Sequence, residues 1–501
     1  MKSIFIKYKQ PVHSAGLLIG ISTLLAAMTF AGCSKLLDKH PITQVVTNDS
    51  TVSISATDAE SAVAGAYITY KGYDFGLEFN VFDRIVNGDV VADNAYAGGD
   101  NTDNITLDLF TANSLNGNVA RDWKDAYGMI GKFNINIDQI QQCTDPALSA
   151  SRKNQMLGEI KFMRAYVYFD LVRLYGKVPL FLQPANTKSA ESLLNSTIIA
   201  QSSTDSVYLA ILNDLWFAKS TVGDVGASSS KQIISKGAVY ATLAKVYASK
   251  PTPNWDSVLY YCNQTIPSYA LVSNYNYLWD NNHKNNSEAI WELNYEGYSA
   301  GDQIGNWVPS IFIGGGWKKF NTPSNDLVNA FLAENDNIRL NASVTFDDVS
   351  GQWTDKYWAL NHYPFLTKYN DPNNGTNDFY IIRLADILLL KAEALVQKSD
   401  LTGAMTLVNQ VRARVGLPAK TAASADAANT IIANERRLEL AFEGHRWFDL
   451  IRTGKAVSVM NSLKDGSGNN LNYNVQSYRL VLPIPQTQID LNPLLTQNPE
   501  Y

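Results

Sequence analysis

The sequence predicts a mainly α-helical fold in which TPR-like helix pairs carry an irregular, loop-rich region with a few short strands. Three observations predict it. Helical periodicity recurs along most of the chain, two segments repeat one another as helix–turn–helix units, and residues 266–380 lie between them, rich in Asn, Gly and aromatics. The 501 residues are 46% hydrophobic and 18% charged with a net charge of -6, which excludes a chain too polar to bury a core. Mild acidity without a long basic run argues against nucleic acid as a partner. The 10 Trp and 26 Tyr put stacking surfaces in ample supply.

From the amino terminus, Lys2, Lys7 and Lys9 precede an apolar run from Ala15 to Ala31, slightly short of the roughly 20 residues a permanent membrane helix needs. Residues 1–32 therefore read as an export signal. The sequence Phe30-Ala31-Gly32-Cys33 resembles a bacterial lipobox, which implies that Cys33 becomes the lipidated first residue; ordinary cleavage beside an incidental cysteine is the alternative. Residues 33–50 are polar and aperiodic and read as a tether, and residues 51–501 as a single domain. Helical periodicity is strongest over 56–70, 120–142, 153–175, 204–220, 232–250, 255–265, 381–398, 401–415 and 430–452. Strands are expected at 288–295 and 478–484, where apolar and aromatic residues are bounded by punctuation. Cys143 and Cys262 fall in helical patterns and are expected to be buried free thiols.

Segment 241–263 lies on 389–409 with a two-residue difference in the turn, so that Ala244 meets Ala392, Val246 meets Ala394 and Val258 meets Ala404. Small residues at recurring positions let paired helices approach closely, as TPR-like units require. Segments 153–175 and 204–220 form a further candidate pair. The insertion 266–380 is where binding is expected, because a long loop on a rigid scaffold commonly carries function.

Several segments carry a family resemblance. Residues 159–182, EIKFMRAYVYFDLVRLYGKVPLFL, look like the hallmark helix of the SusD/RagB family, surface lipoproteins of Bacteroidetes glycan-uptake systems. Residues 435–454 (ERRLELAFEGHRWFDLIRTG) resemble its late charged helix, 478–501 its terminal pattern, 123–134 its early Trp, Tyr, Ile and Asn pattern, and CSKLLDKHP from Cys33 its mature start. Phe30 in the lipobox and Glu500 near the end depart from the usual residues. The resemblance implies a SusD-like fold with four TPR-like helix pairs. It further implies a non-catalytic protein, lipid-anchored in the outer membrane and facing the exterior. Its expected partner is a SusC-like TonB-dependent transporter, to which it passes captured oligosaccharide.

The chemistry is weighed against two rivals, an exported glycoside hydrolase and a TPR-type adaptor without a sugar site. Glu435, Glu439 and Glu443 recur every four residues amid Arg436, Arg437, His445, Arg446, Asp449 and Arg452, and an enzyme would need a raised carboxyl pKa among them. The structural reading pairs Arg436 with Glu439, Glu443 with Arg446, and Asp449 with both Arg446 and Arg452, all at helix-face spacing, and buries part of the set. No zinc-protease, nucleophile-elbow or phosphate-loop motif occurs, and His13, His40, His283, His362 and His445 lack metal-ligand spacing, so neither cofactor nor metal is expected. Sugar binding asks for flat aromatic faces and hydroxyl-reaching amides or carboxylates. Tyr295, Tyr298, Trp307, Phe312 and Trp317 supply the first in the insertion. Tyr73, Phe75 and Tyr96 do so in early loops, beside Asp93, Asn94, Asp100 and Asn101. The ligand contacts expected are Trp307, Trp317, Tyr298 and Tyr96. Trp353, Tyr357 and Trp358 form a further exposed-looking group near Asp355 and Lys356 that suits a ligand and an interface equally, and Trp123, Tyr127, Tyr166, Tyr168, Tyr175, Trp291 and Trp447 are expected in the core.

Overall fold

Serine, asparagine and aspartate set the helix starts of this chain. In the computed structural model, which describes residues 53–72, 74–226, 228–298, 305–312 and 319–501, Ser55 accepts the Asp58 N–H while Asp58 returns a bond to the Ser55 N–H, opening α1 (Ala56–Lys71). Side chains of Asn116, Ser149, Ser203, Ser235 and Asn254 likewise cap α2 (Gly117–Gln142), α3 (Ala150–Tyr175), α4 (Thr204–Thr221), α5 (Lys236–Ser249) and α6 (Trp255–Thr265). After the insertion come α7 (Leu384–Gln397), α8 (Leu401–Arg414, capped by Asp400), α9 (Ala425–Glu439, capped by Ser424) and α10 (Arg446–Arg452). The cap satisfies one of the backbone donors that every helix start leaves unpaired.

The helices pack as successive pairs, α1 on α2, α3 on α4, α5 on α6 and α7 on α8, with α6 on α7 and α7 on α9 continuing the stack. The repeat is visible in the core: Ala244, Val246, Val258, Ala392, Ala394 and Ala404 are all fully buried. Cys143 and Cys262 are buried free thiols. Among the described residues, no helix is long and apolar enough to cross a membrane. Residues 1–50, with the signal and Cys33, lie outside the described residues.

The insertion is closed at its base by β2 (Ala289–Leu293) pairing antiparallel with β6 (Phe379–Arg383). The two strands bring the start and end of a long excursion together and hand the chain straight into α7. Within it, β3 (Thr322–Pro323) pairs with β1 (Ala95–Tyr96) of the early loops, and β4 (Val344–Asp347) with β5 (Tyr363–Leu366). Val52–Tyr501 forms one compact unit.

Three expectations are corrected. The periodicity from 430 to 452 is two helices, because Phe442 and Gly444 take left-handed φ values of 65° and 77° and turn the chain between α9 and α10. The helix expected from 381 begins at Leu384, since Ile381 to Arg383 end β6. Residues 478–484 form no strand: a short 3-10 turn, Ser477–Leu480, leads into irregular chain in which the Leu482 N–H donates to the Leu174 carbonyl at 2.7 Å. Pro483 removes one of the donors a ladder would need, and Pro485 follows directly after the segment.

Candidate functional site

The candidate site is an aromatic ridge built where the insertion meets the early loops. β1 and β3 set Tyr96 opposite Thr322, and the Gly98 N–H donates to the Lys319 carbonyl at 2.7 Å. Beside this pairing, Asp355 acts as a hub. Its Oδ2 accepts the hydroxyls of Tyr96 (2.8 Å) and Tyr363 (3.2 Å), and its Oδ1 accepts the backbone N–H groups of Tyr357 (2.8 Å) and Trp358 (3.1 Å). The result is a tight turn that ties four aromatic residues to one carboxylate. Tyr357 lies edge-on to Tyr96 at 4.8 Å, Trp353 edge-on to Tyr363 at 5.7 Å, and the Trp358 indole donates to the Pro323 carbonyl at 2.9 Å.

The ammonium groups of Lys319 and Lys356 stand 4.8 and 4.7 Å above the half-buried rings of Trp353 and Tyr357. Burial lowers the Lys319 pKa from its usual value. A cation over such a half-buried ring is worth between about 0.5 and 2 kcal/mol, small enough for a stacking ligand to displace.

Beneath the ridge lies the buried Phe82. Its ring centroid lies 5.5 Å from Trp307, 6.0 Å from Phe312 and 6.2 Å from Phe320, with the Arg121 guanidinium 5.6 Å away. Tyr298 packs against the loop that leads into Trp307 and is 43% exposed, the most open of the predicted ligand residues among those described. Its backbone N–H donates to the Asn374 carbonyl at 3.0 Å, and the Asn306 N–H to the Gly375 carbonyl at 2.8 Å. A β-carbon on Gly305 or Gly375 would fall 2.4 or 2.7 Å from the Tyr298 ring, so two bare backbones grip it and leave its outer surface to solvent. Rings fixed in this way lose little conformational freedom when a ligand stacks on them.

With this geometry in place, two family models match the chain: residues 335–501 fit the SusD family, and residues 37–248 a family described as starch-binding and associating with the outer membrane. The chain belongs to the SusD/RagB family. A SusD-like protein, P25, of Formosa agariphila is 26% identical over 433 residues, covering 76% of this chain and 78% of that protein. A SusD superfamily protein from Bacteroides vulgatus has the same fold at 23% identity, with a TM-score of 0.75 over 89% of this chain and 99% of its own. A solved SusD-like protein described as laminarin-binding is 25% identical, with a TM-score of 0.73 over 89% of this chain and 100% of that one.

In this SusD-family chain the predicted ligand residues separate. Tyr298 and the half-buried Trp307 sit on the ridge, and Trp317 and Tyr73 lie outside the described residues. Tyr96 is only 6% exposed, and its hydroxyl is raised well above the usual tyrosine pKa by burial and by the neighbouring Tyr363 and Asp355. It positions Asp355 and the rings around it, and its own face is covered. Tyr295 and Phe312 are buried as well. Trp353 and Tyr357, for which ligand and interface are equal expectations, connect toward Trp307 through Lys319, which lies over Trp353, and its neighbour Phe320, which packs on Phe82. The local signal for the hub is an aspartate two and three residues before Tyr357 and Trp358, the spacing of a side-chain turn. Of the aromatics expected in the core, Trp123, Tyr166, Tyr168, Tyr175, Trp291 and Trp447 are buried and Tyr127 is half-buried.

The late charged helix of the family resemblance is a buried ion network. Glu439 meets Arg339 at 3.0 Å, Arg383 at 2.5 Å and also Arg414; Glu443 meets Arg383 at 2.7 Å and Lys368 at 2.8 Å. Burial alone would raise both carboxyls, but the surrounding cations hold Glu439 well below its usual pKa and Glu443 below it. Neither is the raised carboxyl an acid catalyst requires. The helix-face pairs expected from spacing are replaced by distant partners. Arg436 binds Asp386 at 2.7 Å and Asp449 at 2.9 Å, Arg446 binds Asp93 at 2.7 Å, and only Asp449 with Arg452 forms as spaced, at 2.7 Å. Among the described residues, no group of His, Cys, Asp or Glu is arranged to hold a metal ion.

Proposed function

We propose that this chain captures oligosaccharide on the aromatic ridge and hands it, uncleaved, to a SusC-like TonB-dependent transporter, while the lipid on Cys33 holds it at the outside of the outer membrane. One observation carries the capture step: Tyr298 is clamped between two glycine backbones with 43% of its surface open, next to Trp307 on a ridge of fixed rings. A pyranose ring offers an apolar face to such a surface, and Asn and Asp side chains of the same loops suit its hydroxyls. The starch-binding description of the matching family and the laminarin-binding relative support carbohydrate as the cargo. Tyr298, Trp307 and Trp317 are assigned the stacking role.

Titration calorimetry of the chain from Ser34 against laminarin, starch and a panel of other glycans, with the products analysed, tests this reading. Binding without cleavage is expected. Tyr298→Ala together with Trp317→Ala should weaken it at least about fivefold, since each aromatic contact contributes about 0.5–1.5 kcal/mol, while thermal unfolding stays in place. Shortened glycan products from the purified chain would sink the non-catalytic claim, and unchanged affinity in the double variant would remove the ridge from consideration.

The anchor and the partner have their own test. In the producing cell, Cys33→Ala should release the protein from the membrane fraction, and the unaltered protein should co-purify with a TonB-dependent barrel. A Cys33→Ala protein still fully membrane-bound contradicts lipidation at that residue, and purification without any barrel contradicts the hand-over.

A further inference from the structure

A concavity lies among the helices, lined by none of the ridge residues. It is a cleft of about 680 Å³ between α6, the end of α7, one face of α9 and the stretch from α10 to Lys455. That volume falls within the roughly 300–1,000 Å³ usual for small-ligand sites. Its floor is charged but satisfied. Arg452 binds Glu393 through two nitrogens, the longer contact 2.8 Å, Arg446 binds Asp93 through two at 2.7 Å, and Arg437 reaches Asp93 at 3.3 Å and Asp326 at 2.7 Å. With carboxylates already on these guanidinium groups, the floor offers no vacant anion site. The exposed charges at the rim, Asp426 and Lys455, are of opposite sign.

What remains for a ligand is neutral. Trp255, half-buried at the start of α6, lines the cleft with its ring, and Gln397 and Asn429 line it with amides; the Thr430 hydroxyl already donates to the Asp426 carbonyl at 2.9 Å, and the Asn434 amide donates one N–H to Glu334 at 3.2 Å, which leaves its carbonyl oxygen and second N–H. Amide groups both donate and accept hydrogen bonds, as sugar hydroxyls do. A helical partner would need an apolar groove with anchors every three or four residues, and a peptide strand would need a free sheet edge. The α9 face turned to this cleft reads Asp426, Asn429, Thr430, Ala433, Arg437, and no strand of the described residues borders it.

We infer that this cleft is a second carbohydrate site, in which Trp255 stacks on a neutral sugar ring while Gln397, Asn429 and Asn434 bind its hydroxyls. The inference rests on the carbohydrate reading above but places a binding event on the helical scaffold, apart from the ridge. A chain with two such sites would hold a long glycan at two points, and its avidity would exceed that of either site alone.

The test uses the chain from Ser34 carrying 5-fluorotryptophan, with the Trp255 signal identified by its loss in Trp255→Phe. Laminarihexaose, maltohexaose, cellohexaose and xylohexaose are titrated in turn while fluorine NMR and calorimetry are recorded. A saturable shift of the Trp255 signal is expected with a glycan that also binds the ridge, and it should persist in the Tyr298→Ala, Trp317→Ala double variant. Trp255→Ala should weaken the binding left in that double variant about tenfold. A Trp255 signal unmoved by glycans that calorimetry shows to bind overturns the second site and leaves the ridge standing. A shift that vanishes with the ridge residues also overturns it, since Trp255 would then be reporting a distant event. No binding of any of the four sugars by the unaltered chain overturns the inference and the carbohydrate reading together.

Discussion

Arg383→Met is expected to lower the urea midpoint of unfolding further than any single change on the aromatic ridge. Arg383 ends β6 and is 1% exposed. Its Nη1 donates to Glu288 at 2.8 Å and to Glu439 at 2.5 Å, Nε and Nη2 each donate to Glu443 at 2.7 Å, and Nη2 also donates to the Glu439 carbonyl at 2.6 Å. One side chain thus joins the base of the insertion to the end of α9. Methionine fills much of the volume but leaves Glu288, Glu439 and Glu443 short of a cation in a buried place. Removing one partner of a buried pair costs about 3–5 kcal/mol. By contrast Lys132 and Asp74, 3.3 Å apart with 43% and 80% of their side chains exposed, form a surface pair, so Lys132→Ala should change stability by no more than about 0.5 kcal/mol. Equal urea midpoints for the two variants would mean that the three carboxylates find water or new partners, and that the network does not tie the insertion to the helices.

This network also shows where sequence reading stops. Glu435, Glu439 and Glu443 are spaced for one face, and their burial follows from the Leu438, Leu440 and Phe442 that surround them. Their partners are not legible, since Arg339, Arg383, Arg412 and Arg414 arrive from other elements and the i, i+3 rule sees only neighbours on the same helix. The near arginines are buried or almost so, but Arg436 is taken by Asp386 and Asp449 and Arg446 by Asp93, so the glutamates draw their cations from other elements. Polar composition misleads in the same way around Tyr96. Asp93 and Asn94 suggest an open loop, yet they are 2% and 0% exposed because Asp93 serves Arg446 and Arg437, and Asn94 serves Arg437 and Asp89. The ring beside them is buried with them. The helix pairs are legible because periodicity and small residues are local signals. The ridge is legible only in part, because its assembly through Asp355 and Phe82 depends on strands of two residues that no pattern announces.

Gly444→Ala is the second change with a large expected effect, and it tests a place where two backbones meet without side chains. Gly444 has φ +77°, and a β-carbon there would lie 2.5 Å from Cγ and 2.8 Å from the carbonyl oxygen of Arg84. A β-carbon on Gly88 would in turn lie 2.3 Å from the Gly444 carbonyl carbon. The turn after α9 is pressed against the π-helical segment Val86–Val90, where Asp89 accepts the N–H groups of Phe442 at 3.1 Å and Gly444 at 2.6 Å. Burial, the largest influence, pushes the Asp89 carboxyl up to about 6 despite those bonds. Alanine adds about 1–2 kcal/mol for the left-handed backbone and about 1–3 kcal/mol for overpacking against atoms that cannot rotate away. Gly416, with φ +70° and no atom within 4 Å of where its β-carbon would stand, isolates the first contribution: Gly416→Ala should cost only the backbone share. The difference between the two variants in urea unfolding then measures the close approach itself. If Gly444→Ala cost no more than Gly416→Ala, the early segment that carries Phe82 toward the ridge would be able to move away from the turn, and the charged turn could not be what holds that segment in position.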